Sequence, residues 1–214
     1  MVISNFEQRL FAKLSRSFEP LGFELLIEKK QLRRPLTNGD FESITFSVSP
    51  YEEDDYWIET NFGVRKEQVE TLVQQFLTNR QDFQDDTMTW NTNIGKFKGL
   101  KYFRYKVKSN LTFNSTTDEI TDFFIKSGLP FMKKHRTLAG IDSLFNPDPE
   151  TDSRFIYNQV HRCFKGLATA KLIDSPNFHS LIDTYRFNVI RLGNDEEIER
   201  FEQFVSFLLY YNPN

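Results

Sequence analysis

Apolar positions recur along the chain with two periods, and the change between them organises it. Phe6, Leu10, Leu14 and Phe18 step by four behind Ser4 and Glu7, a capping-box pair. The spacing predicts an opening helix that stops at Gly22, where a missing Cβ permits a left-handed cap. Phe23 to Lys30 then alternates, with Phe23, Leu25 and Ile27 facing away from Glu24 and Glu28. Asn38-Gly39 is a hairpin signal that joins the stretch Gln31 to Pro35 to the run Phe41 to Val48. After the acids Glu52 to Asp55, Tyr56 to Phe62 alternates again. Val69, Leu72, Val73 and Phe76 return to helical spacing.

Residues 78–98 carry no clean period. They are polar, yet hold Met88, Trp90, Ile94 and Phe97, and a structureless loop of that length is uncommon in a compact domain. A short strand near Met88, or a loop pinned by Trp90, is expected. Lys101 to Lys108 reads as a strand with Phe103, Tyr105 and Val107 on one side.

The rest reads as helix. Thr116 and Glu119 suggest a cap, and Ile120, Phe123 and Phe124 follow it. Ser127-Gly128-Leu129-Pro130 is expected to interrupt that helix, because proline lacks the N–H the turn needs. Asn146-Pro147-Asp148-Pro149 marks a break. Ile156, Val160, Cys163, Leu167 and Ala170 then form one stripe, Ser175-Pro176 reads as a cap and first turn, and Asn194 with Glu197 caps the last helix. The fold class is α+β. A largely antiparallel sheet with two packed helices occupies residues 1–112, and a bundle of four to five helices, 113–214, packs against it as one body.

Composition narrows the function classes. The chain has 214 residues, with 27 Lys and Arg against 30 Asp and Glu, so it is neither a basic nucleic-acid packer nor an acidic tail. Twenty-three phenylalanines supply a core and argue against disorder. One cysteine excludes a disulfide framework and a Cys-rich zinc site. No apolar run approaches the roughly 20 residues that span a bilayer, and MVISNFEQRL puts charge where a signal peptide needs an apolar stretch. A soluble cytoplasmic protein, without membrane contact, is expected.

No reaction is named by the residues. His135, His161 and His179 form no HExxH pattern, and His161 and Cys163, two apart on a helix, point in different directions. Cys163 falls on the apolar stripe, so packing is its expected role. Glu52, Glu53, Asp54 and Asp55 lack the alternate spacing and glycine of a calcium loop. Phosphate-loop, nucleotide and nucleophile-elbow motifs are absent, and no cofactor or metal is expected.

The most distinctive polar stretch is GKFKGLKYFRYKVK, residues 95–108, with basic and aromatic residues interleaved. Such a pattern can hold phosphates and stack bases. Its periodicity turns Phe103 and Tyr105 inward with Val107, leaving Tyr102 beside Arg104, Lys106 and Lys108 on a charged face that can guard an edge, complement the acidic turn at 52–55, or meet a partner.

Four stretches carry a resemblance: the opening helix with LGFELLIEKK; FESITFSVSPYEEDDYWIETNFGVR; GLPFMKKH before TLAGIDSLFN; and GLATAKLIDSPNFHSLIDTYR. In these the chain resembles uncharacterised bacterial alpha+beta domains of the type found among polymorphic-toxin immunity proteins. The resemblance implies a non-enzymatic protein that binds a partner protein and blocks it by surface occlusion. Glu53, Asp54, Tyr102, Arg104 and Lys106 are the expected contact residues. The alternatives are a hydrolase or nuclease with a site in the cleft between sheet and helical half, and a weak nucleic-acid binder through the basic strand 96–108, the latter disfavoured by the periodicity that turns Phe103 and Tyr105 inward.

Overall fold

A computed structural model describes residues 4–52 and 55–212. The opening cap forms reciprocally: Ser4 Oγ accepts from the Glu7 amide at 3.2 Å, and the Glu7 carboxylate accepts from the Ser4 amide at 2.9 Å. It starts α1 (Asn5–Phe18), whose Leu10, Phe11, Leu14 and Phe18 are buried. Beyond α1, Gly22 takes a φ of +85°.

The strands are β1 (Glu24–Leu26), β2 (Gln31–Pro35), β3 (Phe41–Glu52), β4 (Asp55–Arg65), β5 (Trp90–Asn93) and β6 (Tyr105–Val107). They make one sheet in the order β1-β2-β3-β4-β5, with β6 also on β4. The pairs β1–β2, β2–β3 and β4–β6 are antiparallel. The hairpin expected at Asn38-Gly39 forms, with φ of +59° and +80° at those residues. Ile44 and Phe46 of β3 and Ile58 and Phe62 of β4 point into the core, and α1 meets them through Phe11, 6.1 Å from the Phe46 ring. The strand expected over 23–30 is shorter, because the chain turns at Ile27–Lys29 and Lys30 adopts φ +50°.

Further expectations change. The strand expected near Met88 starts at Trp90 and runs directly into a one-turn helix, α3 (Ile94–Phe97), after α2 (Glu67–Val73) and a 3₁₀ segment at Gln81–Asp86. The strand expected over 101–108 shrinks to β6. Gly99 ends α3 at φ +76°, with the Gly99 amide on Lys96 O and the Leu100 amide on Gly95 O, so residues 98–104 leave as a loop rather than extending the ladder.

The helix expected from Thr116 starts earlier. Ser109 and Thr112 cap α4 (Asn110–Phe123), leaving Thr116 buried inside it. Nor does Pro130 break that helix. A π-helical turn at Phe124–Gly128 takes up the extra residue before α5 (Leu129–Lys134), so a wider turn absorbs the proline's missing donor.

The bundle consists of α6 (Leu138–Phe145), α7 (Gln159–Leu172), α8 (Phe178–Leu192) and α9 (Asp195–Tyr210). Asn177, not Ser175, precedes α8, while Asn194 and Glu197 cap α9 as expected. Contacts group the chain into two units. One takes the chain up to Val64 with Asn91–Lys133, and the other takes Arg65–Trp90 with the chain from Lys134 onward. Hence α4 and α5 belong with the sheet, and α2 with the bundle, because α2 buries Val69, Leu72 and Val73 in the same core as α7, α8 and α9. Within the bundle α7 is the central helix, buried from Arg162 through Ala170. No helix among the described residues is long and apolar enough to cross a membrane.

Candidate binding groove on the sheet

Alternation on β4 determines what the sheet presents outward. Ile58, Thr60 and Phe62 are buried, so Trp57 and Glu59 fall on the opposite face. Asn93, at the end of β5, lies beside them and has two roles. Its Oδ1 accepts from the Lys96 amide at 2.6 Å, capping α3, and its Nδ2 donates to Glu59 Oε1 at 3.2 Å. The loop after α3 then returns over this face. It can do so because position 95 is glycine: a Cβ there would lie 2.6 Å from Phe103 Cβ.

The result is a groove of about 740 Å³, walled by Trp57, Tyr102 and Phe103, with Glu59 and Asn93 on one side and Lys101 and Arg104 at its rim. Arg104 Nε donates to Glu59 Oε2 at 3.2 Å. Tyr102 is 88% exposed. Aromatic walls around a few placed polar groups characterise ligand and hot-spot sites.

Of the expected contact residues, Tyr102 and Arg104 line this groove. Lys106 sits beside it, where its ammonium lies 4.0 Å from the Tyr51 ring centroid, 5.4 Å from that of Trp57, and 3.3 Å from Asp55. Partial burial disfavours its charge, but Asp55 and Glu52 outweigh that and hold the ammonium above its ordinary pKa. Lys108 also reaches Asp55, at 3.6 Å. The acidic turn and the basic face therefore complement each other within the chain through Asp55. Glu53 and Asp54 lie outside the described residues. Trp57, Glu59 and Asn93 were not singled out from the sequence, although the two-residue step from Trp57 to Glu59 marks them as face-mates.

The helical unit holds the other dense polar cluster. Glu70 on α2 is fully buried, and its carboxylate accepts from Thr89 Oγ1 at 2.9 Å, Thr87 Oγ1 at 2.7 Å, Gln74 Nε2 at 2.9 Å and Lys165 Nζ at 3.1 Å. Lys165, 4% exposed, also donates to Met88 O at 2.6 Å. Burial pushes the Glu70 carboxyl up, and Lys165, Thr87 and Gln74 together pull it below its usual range. Arg65 Nη1 donates to Gln84 O at 2.8 Å and to Thr87 O at 3.0 Å, and Trp90 Nε1 donates to His135 O at 2.8 Å. Trp90, fully buried, pins the loop.

His161 lies one turn from Lys165. Burial, then the Lys165 charge, depresses it to about 4, against the opposing pull of Glu197 and Glu70. Burial raises the Cys163 thiol to about 12, which suits packing and not nucleophilic attack. Among the described residues no group of three or more His, Cys, Asp or Glu is placed to hold a metal. The chain matches no family model, no curated protein and no solved structure.

Proposed function

We propose that this protein is a non-enzymatic, cytoplasmic binding module that occludes a partner protein through the groove over β4, in the manner of an immunity-type inhibitor. The groove supports this reading: it combines three aromatic walls with an arginine, the residue types that dominate protein-protein hot spots. Its glycine-hinged loop leaves Tyr102 exposed instead of folding it into the core. The likeness to immunity-type domains supports a toxin as the partner, and a single buried cysteine fits a reducing compartment. Nucleic acid is a poorer occupant. Lys106 and Lys108 turn onto Asp55 and Arg104 onto Glu59, so the basic segment offers no continuous track for phosphates.

The test compares the wild type with Tyr102→Ala and Trp57→Ala as tagged baits in native cells, each checked by circular dichroism. A stoichiometric protein retained by the wild type and lost from both variants supports the module. A partner retained equally by all three moves the binding surface elsewhere. For the inhibitory role, the captured protein is expressed with and without the bait. Toxicity relieved only by a bait with an intact groove is the expected result.

A further inference from the structure

The geometry points to the occupant of this groove: an acidic segment of the partner protein that places an Asp or Glu carboxylate on Arg104 and an aromatic side chain between Trp57 and Tyr102. The inference rests on the binding reading above and adds the partner's chemistry.

It follows from which polar atoms of the lining are already engaged. The acceptors each hold a donor: both Glu59 oxygens accept one bond, from Asn93 and from Arg104, and the Asn93 side-chain oxygen caps α3. The donors are open. Among the described residues Arg104 bonds only through Nε, so its two terminal nitrogens carry no hydrogen bond, and at 57% exposure the side chain can meet a ligand. Among the described residues the Lys101 ammonium makes no ion pair and the Trp57 indole N–H has no acceptor; the ammonium lies 5.9 Å from the Tyr102 ring centroid. A lining whose acceptors each already hold a donor, while several of its donors hold no acceptor, favours an acceptor-rich ligand. The guanidinium fork matches a carboxylate with two parallel hydrogen bonds. Charge also favours a carboxylate over a run of phosphates, because the neighbouring Lys106 and Lys108 already face Asp55. The rings supply the apolar contact that a carboxylate alone lacks.

The experiment selects short random peptides displayed against the immobilised full-length protein and measures the affinity of those enriched. Peptides with Asp or Glu adjacent to Phe, Tyr or Trp are expected. Their affinity should fall about tenfold or more in Arg104→Gln, the charge-assisted contribution of a bidentate pair, and a library selected on Arg104→Glu should lose its acidic bias. Both variants are checked for wild-type circular dichroism, and Arg104→Gln preserves the hydrogen bond to Glu59 should the reversal disturb the loop. Enriched peptides that lose binding in Tyr102→Ala but carry no acidic residue overturn this inference alone. If a dT oligonucleotide binds more tightly than any peptide, the protein occupant is wrong. With nothing enriched, and a partner captured equally by wild type and Tyr102→Ala, the groove fails as a binding site and the inference falls with it.

Discussion

Glu59–Arg104 on the sheet and Glu70–Lys165 in the bundle are both acid–base pairs reinforced by an amide side chain, yet they sit in opposite surroundings. Glu70 is fully buried and receives four side-chain donors, and Lys165 adds a carbonyl, so the charges are enclosed by partners. Glu59 and Arg104 share one 3.2 Å contact at the rim of an open groove. The difference follows from desolvation. A charge taken out of water must find its partners inside the fold, whereas one left at the surface can keep donors in reserve. The interior pair acts on stability, and the surface pair is available for recognition. Removing each in turn should separate the two roles.

The largest effect is expected at Lys165. Lys165→Met leaves a buried carboxylate with only hydroxyl and amide donors, and losing one partner of a buried pair costs about 3–5 kcal/mol. Urea denaturation should show the unfolding free energy fall by that amount, with the midpoint lowered in proportion, and Glu70→Gln should behave similarly. The double variant should cost less than the sum, since it leaves no uncompensated charge. An additive double variant would mean the pair does not couple.

Acid should reach the same region. The folded pKa of His161, about 4, lies below the unfolded value near 6.5. The unfolded chain therefore takes up the proton first. Stability is fully present above pH 6.5 and is lost as pH falls towards 4, by up to about 3 kcal/mol from this residue. His135 is lowered by burial as well and contributes with the same sign. Below the ordinary carboxylate range, protonation of the lowered Glu70 adds a further loss. His161→Gln should flatten the slope of unfolding free energy between pH 6.5 and 4 without removing it. An unchanged slope would place the titration elsewhere.

Gly166 tests packing without charge. A Cβ there would lie 2.5 Å from Tyr185 Oη and 2.7 Å from Asn146 Oδ1, which themselves bond at 2.6 Å. Gly166→Ala gains helix propensity but must push that buried pair apart, and overpacking of this kind costs about 1–3 kcal/mol. Thermal unfolding at neutral pH would measure it, and a stabilised variant would show that the Tyr185–Asn146 contact yields freely.

The contrast between the pairs also explains what the sequence made legible. Helices α1 and α9 could be read because their caps and apolar stripes are local signals, Ser4 with Glu7 and Asn194 with Glu197. Residues 78–90 could not. They carry no clean period, because Thr87 and Thr89, with Arg65 before α2, commit their side chains to Glu70 and to loop carbonyls far away in sequence. Arg162 is a similar case: on a buried helix it donates to the carbonyls of Phe145, Asp148 and Thr151 and so clamps the loop before α7. In the groove, Tyr102 and Arg104 were singled out on a strand that does not reach them: they stand on the 98–104 loop, and Phe103, expected inward with Tyr105 and Val107, walls the groove beside them. Asn93 was not, because its part depends on β5 ending beside Glu59, a tertiary placement that no spacing encodes.

The smallest stability effect should come from the groove itself. An exposed pair is worth roughly 0–1 kcal/mol, so Arg104→Ala and Glu59→Gln should each leave the urea midpoint almost unmoved. Their effects on binding should diverge. Arg104→Ala removes the open donors and should release the partner, whereas Glu59→Gln removes the one carboxylate in the lining, frees Arg104 from its pair and should strengthen retention of an acidic segment. Retention of the captured partner by the two variants, at equal folded protein, checks the opposite signs. If Glu59→Gln weakens binding as much as Arg104→Ala does, Glu59 orders Arg104 for the partner instead of competing with it. If neither variant changes retention, the surface pair takes no part in recognition, and the division of roles between the two regions fails.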